Sequence, residues 1–282
     1  IALYNTYMHR RRFLSNPKDP EEKGVLAYVR EDGRVPCGLG NFMTSTGRSI
    51  QRVIVNLPSI KAVFGKEMRK IIKAPEGKVL IGADQKSSQL SIAAFISNND
   101  GYYNAVASGQ QSVDTEDGGK FFKFESAHCV NARNFGLVTE EECNTAVETQ
   151  DQKLIDHICM MRDKYAKGLA FACIFGASGK KMGLMSGRTP DEGNKMKNRY
   201  LKEMGLDKVI EYVKRCEQQF KYGGGFYIPA FNGYWLWCRS VHVGVNYFCQ
   251  SIESIIQKVA TLDFCKQIKE KGWQDHTWVI FT

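Results

Sequence analysis

Residues 161–179 read MRDKYAKGLAFACIFGASG, and this segment decides how the rest of the chain is interpreted. On an α-helix Lys167, Phe171 and Phe175 follow one another at intervals of four residues and share one face. An ammonium group followed by two aromatic rings suits a triphosphate and the base that it carries. The alternative is a core helix with one lysine at its edge, because aromatic residues at helical spacing usually belong to a core. Taken alone, the segment favours the core helix.

Composition points to a nucleic-acid partner. The chain has 282 residues, enough for one or two domains, with a net charge of +9. This charge favours a polyanionic partner, nucleic acid before a membrane, although many mildly basic proteins bind neither. The apolar runs are too short to span a bilayer, so no membrane partner is expected. Nine scattered cysteines without a CxxC pair indicate reduced thiols and a cytoplasmic protein.

Residue patterns predict strands, then helices, then strands. Alternating and β-branched residues predict strands at 26–30 and 35–42 around Asp32-Gly33, and at 50–58, 79–83, 226–243 and 278–281. Helical periodicity predicts helices at 68–72, 89–96, 121–132, 140–146, 152–175, 190–203, 206–220 and 246–270. Residues 101–119 are polar and glycine-rich, which predicts a loop. This order suggests a sheet domain with a helical insertion.

Single residues in these patterns leave alternatives open. Asp84 ends an apolar run, where a carboxylate could hold Mg²⁺ for phosphoryl transfer or could cap the next helix. Asn246 and Gln250 present two amides on one helix face, and amides can read base edges in a minor groove. Such amides are more often solvent-facing, or buried and satisfied by other groups. The glycine-containing segments 44–49 and 176–181 lack the Lys-Ser/Thr ending of a Walker A loop.

Taken in order, five segments resemble the motifs of family A DNA polymerases, the DNA polymerase I and phage replicative group. They are 44–48 (TSTGR), 55–58 (VNLP) with the helix 65–72, 79–90 (VLIGADQKSSQL, motif A), 162–179 (motif B) and 246–250 (NYFCQ). Five motifs in the right order are far more specific than any one of them. The resemblance therefore overturns the core-helix interpretation of residues 161–179.

The resemblance implies an α+β fold, in which a polymerase palm with an antiparallel sheet carries an inserted helical fingers subdomain. We expect the end of a thumb or a linker at 1–23, the first part of the palm at 24–96, the fingers at 97–227 and the second part of the palm at 228–282. The chain has no initiator methionine, which suggests a segment of a longer protein. It ends before the His-Asp-Glu turn that carries the family's second catalytic aspartate. We therefore expect this piece alone to be inactive or nearly so.

The implied function is template-directed DNA synthesis, in which deoxynucleotides are added to a primer 3′-hydroxyl by two-metal phosphoryl transfer. The partners would be primer-template DNA and deoxynucleoside triphosphates, and the location the cytoplasm of a bacterial or phage-infected cell, at the nucleoid. One alternative is a single-subunit RNA polymerase, against which TSTGR and Gln89 argue. A second alternative is a non-catalytic nucleic-acid-binding module with the same fold.

The resemblance also assigns residues to roles. Asp84 and the backbone carbonyl of Gln85 would bind two Mg²⁺ ions, and Asp84 and Lys167 would be the catalytic residues. The residues implied for nucleotide binding are His128, Arg162, Lys164, Lys167, Phe171 and Gln89. Those implied for template-primer binding are Arg48, Phe175, Gly176, Asn246 and Gln250.

Three departures from the family pattern concern individual side chains. The family places an arginine four residues before the motif B lysine, where this chain has Asp163 and its Arg162 lies five away. Five residues rotate by about 140° on an α-helix, so Arg162 needs a shifted helix start, or Lys164 replaces it. Gln89 stands where the family has a glutamate that blocks a ribose 2′-hydroxyl, and Ala172 stands where a glycine is expected.

Overall fold

The computed structural model describes residues 1–19, 21, 23–85, 87–277 and 279. They form two compact units, the first consisting of Ile1–Thr44 and Arg48–Gln85, and the second of Ser45–Gly47 and Lys86–Thr282. Within the described part, no helix is both long enough and apolar enough to cross a membrane. The strand predicted at 278–281 lies outside the described residues, apart from Val279.

The first unit contains little regular structure. Its elements are helices α1 (Ala2–Leu14) and α2 (Gly65–Lys70), strands β1 (Leu39–Gly40) and β2 (Ile50–Gln51), and a 3-10 turn at Val25–Tyr28. The two strands are antiparallel, with Leu39 opposite Gln51. Met68 on α2 is buried, and the neighbouring Arg69 donates from Nε to the carbonyl oxygen of Pro58 at 2.7 Å. The predicted helix at 68–72 is thus present, shifted toward the N-terminus.

The hairpin predicted around Asp32-Gly33 is wrong. A tight turn does form there, with Gly33 at a φ of +75° and its amide bonded to the carbonyl of Arg30. Its arms form no ladder, because Leu26 and Val29 are exposed and an isolated hairpin without a buried face is only marginally stable. The strand predicted at 50–58 is likewise limited to the two residues of β2.

The strand predicted at 79–83, just before Asp84, is also not observed. These residues have no regular structure, and Val79 and Ile81 are 78% and 90% exposed. A strand needs a neighbour to take up its backbone hydrogen bonds, and no described strand pairs with this segment. The apolar residues at 79–83 therefore do not form a strand, because no described strand pairs with them.

The second unit is mostly helical. Its helices are α3 (Ser88–Ile96), α4 (Asp100–Ala107), α5 (Ala127–Asn134), α6 (Glu140–Thr149), α7 (Gln152–Met161), α8 (Lys167–Ile174), α9 (Gly179–Ser186), α10 (Pro190–Glu203), α11 (Leu206–Gln219) and α12 (Gly244–Glu270). Its strands are β3 (Ser112–Asp114), β4 (Lys120–Phe122), β5 (Lys221–Tyr222), β6 (Gly225–Pro229) and β7 (Trp235–Cys238). Short 3-10 turns lie at Phe231–Gly233 and Val241–Val243. Most predicted helices are confirmed, and α9 was not predicted.

The loop predicted at 101–119 is wrong, because it contains α4 and the first strand of a hairpin. Asn99 caps α4 by accepting from the backbone N–H of Tyr102 at 2.9 Å. Tyr102 and Val106 are then buried on one side of the helix, so burial outweighs the polar and glycine-rich composition. The helix predicted at 121–132 starts instead as β4, which pairs antiparallel with β3, and becomes helical only at Ala127.

Aromatic and aliphatic side chains from several helices form the main core of this unit. The rings of Phe135 and Tyr200 stack with centroids 4.2 Å apart and planes 5° from parallel. Leu90 of α3, Leu169 of α8 and Leu206 of α11 are fully buried in the same cluster. The motif-bearing helices α3 and α8 are therefore held by one packed interior.

A three-stranded antiparallel sheet in the order β5-β6-β7 completes the unit. Ile228 lies opposite Leu236, and both are fully buried beside Val213 of α11. The strands predicted at 226–243 are confirmed as β6 and β7, whereas residues 241–243 form a 3-10 turn instead. Between the strands, Asn232 has the left-handed conformation at a φ of 60°. Helices together with small antiparallel sheets confirm the predicted α+β class.

Helices α9 and α10 approach each other through glycines. A Cβ atom placed on Gly193 would lie 2.1 Å from the carbonyl oxygen of Gly179 and 2.4 Å from the amide nitrogen of Gly183. Real side chains do not approach backbone atoms so closely, so the two helices can pack at this distance only without a side chain there.

We expect Gly193→Ala to lower the free energy of unfolding by about 1–3 kcal/mol, the usual cost of overpacking. The better helix propensity of alanine offsets only part of this loss. Gly224→Ala is the matched control, because a Cβ there meets nothing within 4 Å. Urea unfolding of both variants measures the difference, and equal stabilities would contradict the proposed close approach.

Candidate nucleotide-binding site

A single π-helical turn separates α7 from α8. It covers Arg162–Ala166, and the backbone N–H of Lys167 donates to the carbonyl oxygen of Arg162, five residues earlier. An α-helix would instead bond residues four apart, and π turns of this kind occur often at functional sites. The π turn thus accommodates the five-residue spacing between Arg162 and Lys167, which is one residue longer than the spacing in the family motif. The shifted helix start that the five-residue spacing suggested is not observed, because a π turn within a continuous helical segment lies there instead.

Arg162 and Lys167, which the π-turn hydrogen bond joins, both act electrostatically on the same histidine. His128 on α5 is partly buried, and burial lowers its pKa to about 4, with the positive charges of Arg162 and Lys167 adding to the effect. The carboxylate of Asp163 acts in the opposite direction on this pKa. His128 is therefore neutral at pH 7, and two cations lie close enough to influence it.

Arg162 and Lys164, the two alternatives for the motif B cation, have different surroundings. Arg162 has a side chain only 22% exposed and forms an ion pair with the more exposed Asp163. Lys164 is exposed, and its Nζ lies 5.0 Å from the centroid of the Tyr165 ring. Of the two, Arg162 is the cation whose charge acts on His128.

The two aromatic rings of motif B are less buried than the core-forming residues of α8. These core-forming residues are Leu169, Ala170, Cys173 and Ile174. Phe171 is half-buried and Phe175 is 43% exposed, with their rings stacked at a centroid distance of 6.4 Å. Lys167 is exposed as well. The core-helix interpretation is therefore correct for Phe171, which packs against the main core, and wrong for the exposed Lys167 and Phe175.

Gly176 ends this helix and has a structural reason to be glycine. The N–H of Ala177 donates to the carbonyl of Ala172, and that of Gly176 to the carbonyl of Cys173, which together form a Schellman motif. Gly176 has a φ of +78°, and a Cβ there would lie 2.1 Å from the carbonyl oxygen of His242. Its predicted place beside a template base stays a prediction.

Helix α12 carries the two predicted amides, and they contact each other. Gln250 Nε2 donates to Asn246 Oδ1 at 2.9 Å. The hydroxyl of Thr46 donates to Gln250 Oε1 at 3.3 Å. Ser254 Oγ and Lys258 Nζ both donate to the carbonyl oxygen of Gly47, each at 2.7 Å. Sequence reasoning missed the roles of Thr46, Ser254 and Lys258. For Ser254 and Lys258, polar residues recurring every four positions after Asn246 were a usable signal.

Gln89 lies in the first turn of α3, between the buried residues Ser88 and Leu90. Its Nε2 donates to Glu253 Oε2 on α12 at 3.3 Å. Glu253 is a further residue that sequence reasoning missed. The carboxylate that the family places on motif A is thus replaced by an amide that is bonded to a carboxylate on another helix.

Three predicted residues, Arg48, Asp84 and Gln85, belong to the first unit. The backbone N–H of Arg48 donates to Thr44 Oγ1 at 2.9 Å, which closes the TSTGR turn. Asp84 and Gln85 are exposed. Their carboxylate and backbone carbonyl are oxygen donors of the kind Mg²⁺ prefers, and such sites commonly take only one or two protein carboxylates. No cluster of three acidic, histidine or cysteine ligands occurs in the part of the chain that the structure describes.

Because His128 has a lowered pKa, we expect the folded protein to lose stability as the pH falls from about 6.5 towards 4. In that window the unfolded chain binds a proton on this side chain and the folded protein does not. Between pH 7 and pH 5, His128→Gln should lose less stability than the unmodified protein, by an amount on the order of 1 kcal/mol after solvent screening. Urea unfolding at both pH values measures this, and parallel losses would refute it.

Comparison with known proteins is consistent with the motifs. No family model matches the chain. The chain is 21% identical over 276 residues to the DNA-directed DNA polymerase of Enterobacteria phage T3. This alignment covers 91% of this chain and 34% of the relative. Its fold is similar to the POL domain of Pol1 from M. smegmatis, in complex with DNA primer-template and dNTP, with a TM-score of 0.62 and 17% identity.

That structural match covers 88% of this chain and 40% of the mycobacterial one, and the phage alignment spans about a third of the length of the relative. The chain therefore has the α+β fold of a polymerase module, and these similarities in sequence and in structure confirm the predicted resemblance to family A DNA polymerases.

Proposed function

We propose that this chain carries the palm and fingers of a DNA polymerase that adds deoxynucleotides to a primer 3′-hydroxyl under the direction of a template. The observation that carries the proposal is the π turn, which accommodates the extra residue between Arg162 and Lys167 while both cations act on His128. The phage relative is a DNA-directed DNA polymerase, and the mycobacterial structure contains primer-template DNA and a dNTP. Both support deoxynucleotides over ribonucleotides as substrates.

In this proposal the incoming triphosphate binds along the exposed face of α8. Lys167 and Arg162 contact its phosphates, since two neighbouring cations favour a polyanion. His128 is neutral and donates a hydrogen bond from its ring. Phe171 stacks beside the sugar and base, because its half-buried ring offers a fixed apolar face. Lys164 would contact phosphate only at the exposed margin.

The template and primer would contact four residues of the second unit and one residue of the first. Phe175 is exposed after the last turn of α8 and can stack on a template base, next to Gly176. Asn246 and Gln250 would contact minor-groove edges, where amides can donate to base acceptors. Arg48 would contact the primer strand through phosphate or minor-groove acceptors.

Asp84 and the Gln85 carbonyl would hold Mg²⁺, with two ions expected at the complete site. When bound, such ions activate the primer hydroxyl and neutralise the charge that develops on the phosphates. Gln89 would fill the space beside the sugar, held by its bond to Glu253. The bulk of its side chain, rather than a charge, would then disfavour a 2′-hydroxyl.

We expect Lys167→Ala to weaken the binding of a dNTP by about 10- to 100-fold, the loss of a hydrogen bond to a charged group. Fluorescence titration with a labelled dNTP measures this in the chain itself. Lys180→Ala is the matched control, because Lys180 is an exposed lysine on the neighbouring helix α9. Equal affinities for the two variants would place the triphosphate elsewhere.

In the protein encoded by the whole gene, we expect Asp84→Ala to slow primer extension by about a thousandfold or more, since the residue is proposed to hold the metal. Duplex binding should remain largely unchanged. Glu76→Ala removes another exposed carboxylate of the same unit and should extend normally.

Extension by Asp84→Ala within tenfold of the unmodified protein would contradict its metal role. Parallel reactions with ribonucleotides test the RNA polymerase alternative, which a preference for ribonucleotides would favour. Duplex binding without any extension by the unmodified protein would favour the non-catalytic binding module.

A further inference from the structure

Helix α12 presents a polar stripe toward the turn Ser45–Gly47, within the same compact unit. The stripe consists of Asn246, Gln250, Ser254 and Lys258, which recur every four residues and therefore share one face. Every member of the stripe takes part in a side-chain hydrogen bond with another member or with this turn. The stripe and the turn thus form one connected polar network.

The end of the stripe nearer the C-terminus anchors the turn. Ser254 Oγ and Lys258 Nζ both donate to the carbonyl oxygen of Gly47, each at 2.7 Å. This oxygen has two lone pairs and can accept both hydrogen bonds. Lys258 Nζ also lies 2.6 Å from Ser254 Oγ. Ser254 is only 3% exposed, and desolvation lowers the pKa of Lys258. An ammonium group thus holds a backbone carbonyl at a position that is partly shielded from water.

The other end of the stripe receives the side chain of Thr46, which is 3% exposed. Its hydroxyl donates to Gln250 Oε1 at 3.3 Å, while Gln250 Nε2 donates to Asn246 Oδ1 at 2.9 Å. The amide oxygen of Gln250 therefore accepts from one partner and its nitrogen donates to another, and these two hydrogen bonds fix the orientation of the amide. One N–H and one oxygen lone pair remain for other groups.

We propose that Thr46 is a positioning residue for duplex DNA, which orients the Gln250 amide for the minor groove, while Ser254 and Lys258 fix the turn that carries Thr46. This inference rests on the proposed function, since it takes a primer-template duplex as the ligand. Minor grooves offer the N3 and O2 acceptors of bases, which the remaining N–H of Gln250 can contact. Holding the amide in advance removes the entropy cost of ordering it on binding.

The test compares Thr46→Val, which keeps the shape and removes the hydroxyl, with Thr46→Ser, which keeps the hydroxyl. The affinity of the chain for a fluorescent hairpin primer-template is measured by anisotropy at fixed salt, with a single strand for comparison. Thr46→Val should weaken duplex binding by about 3- to 10-fold, as expected for one hydrogen bond, and Thr46→Ser should restore it. Lys258→Met, which removes only the ammonium group, should weaken duplex binding in the same direction.

Two readouts separate positioning from a general loss of structure. In a Gln250→Ala background, Thr46→Val should add less than about a twofold effect, because its target is already gone. Replacing purines of the duplex by 3-deaza analogues, which lack the N3 acceptor, should weaken binding by the unmodified protein and leave Thr46→Val unaffected.

Full additivity of Thr46→Val and Gln250→Ala, or unchanged duplex affinity in Thr46→Val, would overturn the positioning role alone. A Gln250→Ala variant that binds duplex normally would overturn it too. An unmodified protein that binds the duplex no better than the single strand would overturn the proposed function and this inference together.

Discussion

The hydrogen bond from the amide of Lys167 to the carbonyl of Arg162 is the constraint on which the candidate site depends. If this turn were α-helical, about 140° would separate the two side chains around the axis. The wider turn accommodates the extra residue before the helix resumes, and Leu169 and Ala170 then fall on the buried side. The placement of the cations and the packing of the core therefore depend on the same backbone bond.

The charges around the turn follow from unequal burial. His128 is desolvated enough to stay neutral beside two cations, whereas Asp163 is exposed and pairs with Arg162 from the solvent side. The result is a local excess of positive charge whose strength does not depend on a titrating histidine near neutral pH. Such a surface favours a polyanion without requiring one to be present.

The sequence predicted helices best where their ends were encoded locally. Thr189, Pro190 and Glu192 form a capping box with proline in the first turn, and α10 begins at the predicted residue. The strand before Asp84 could not be predicted from its own residues, because strand formation depends on a partner. Helix α4 was missed because its stability comes from burial of Tyr102 rather than from composition. Side chains of the site were predicted largely by motif, whereas Glu253 and Thr46 became visible only through long-range contacts.

The π turn also changes how this chain should be compared with its relatives. An alignment without gaps sets Asp163 against the arginine of motif B and scores a mismatch. In the folded helix the N–H of Lys167 donates to the carbonyl of Arg162, so the π turn takes up one residue more than an α-helical turn. A comparison that allows a one-residue gap between Arg162 and Lys167 would pair cation with cation.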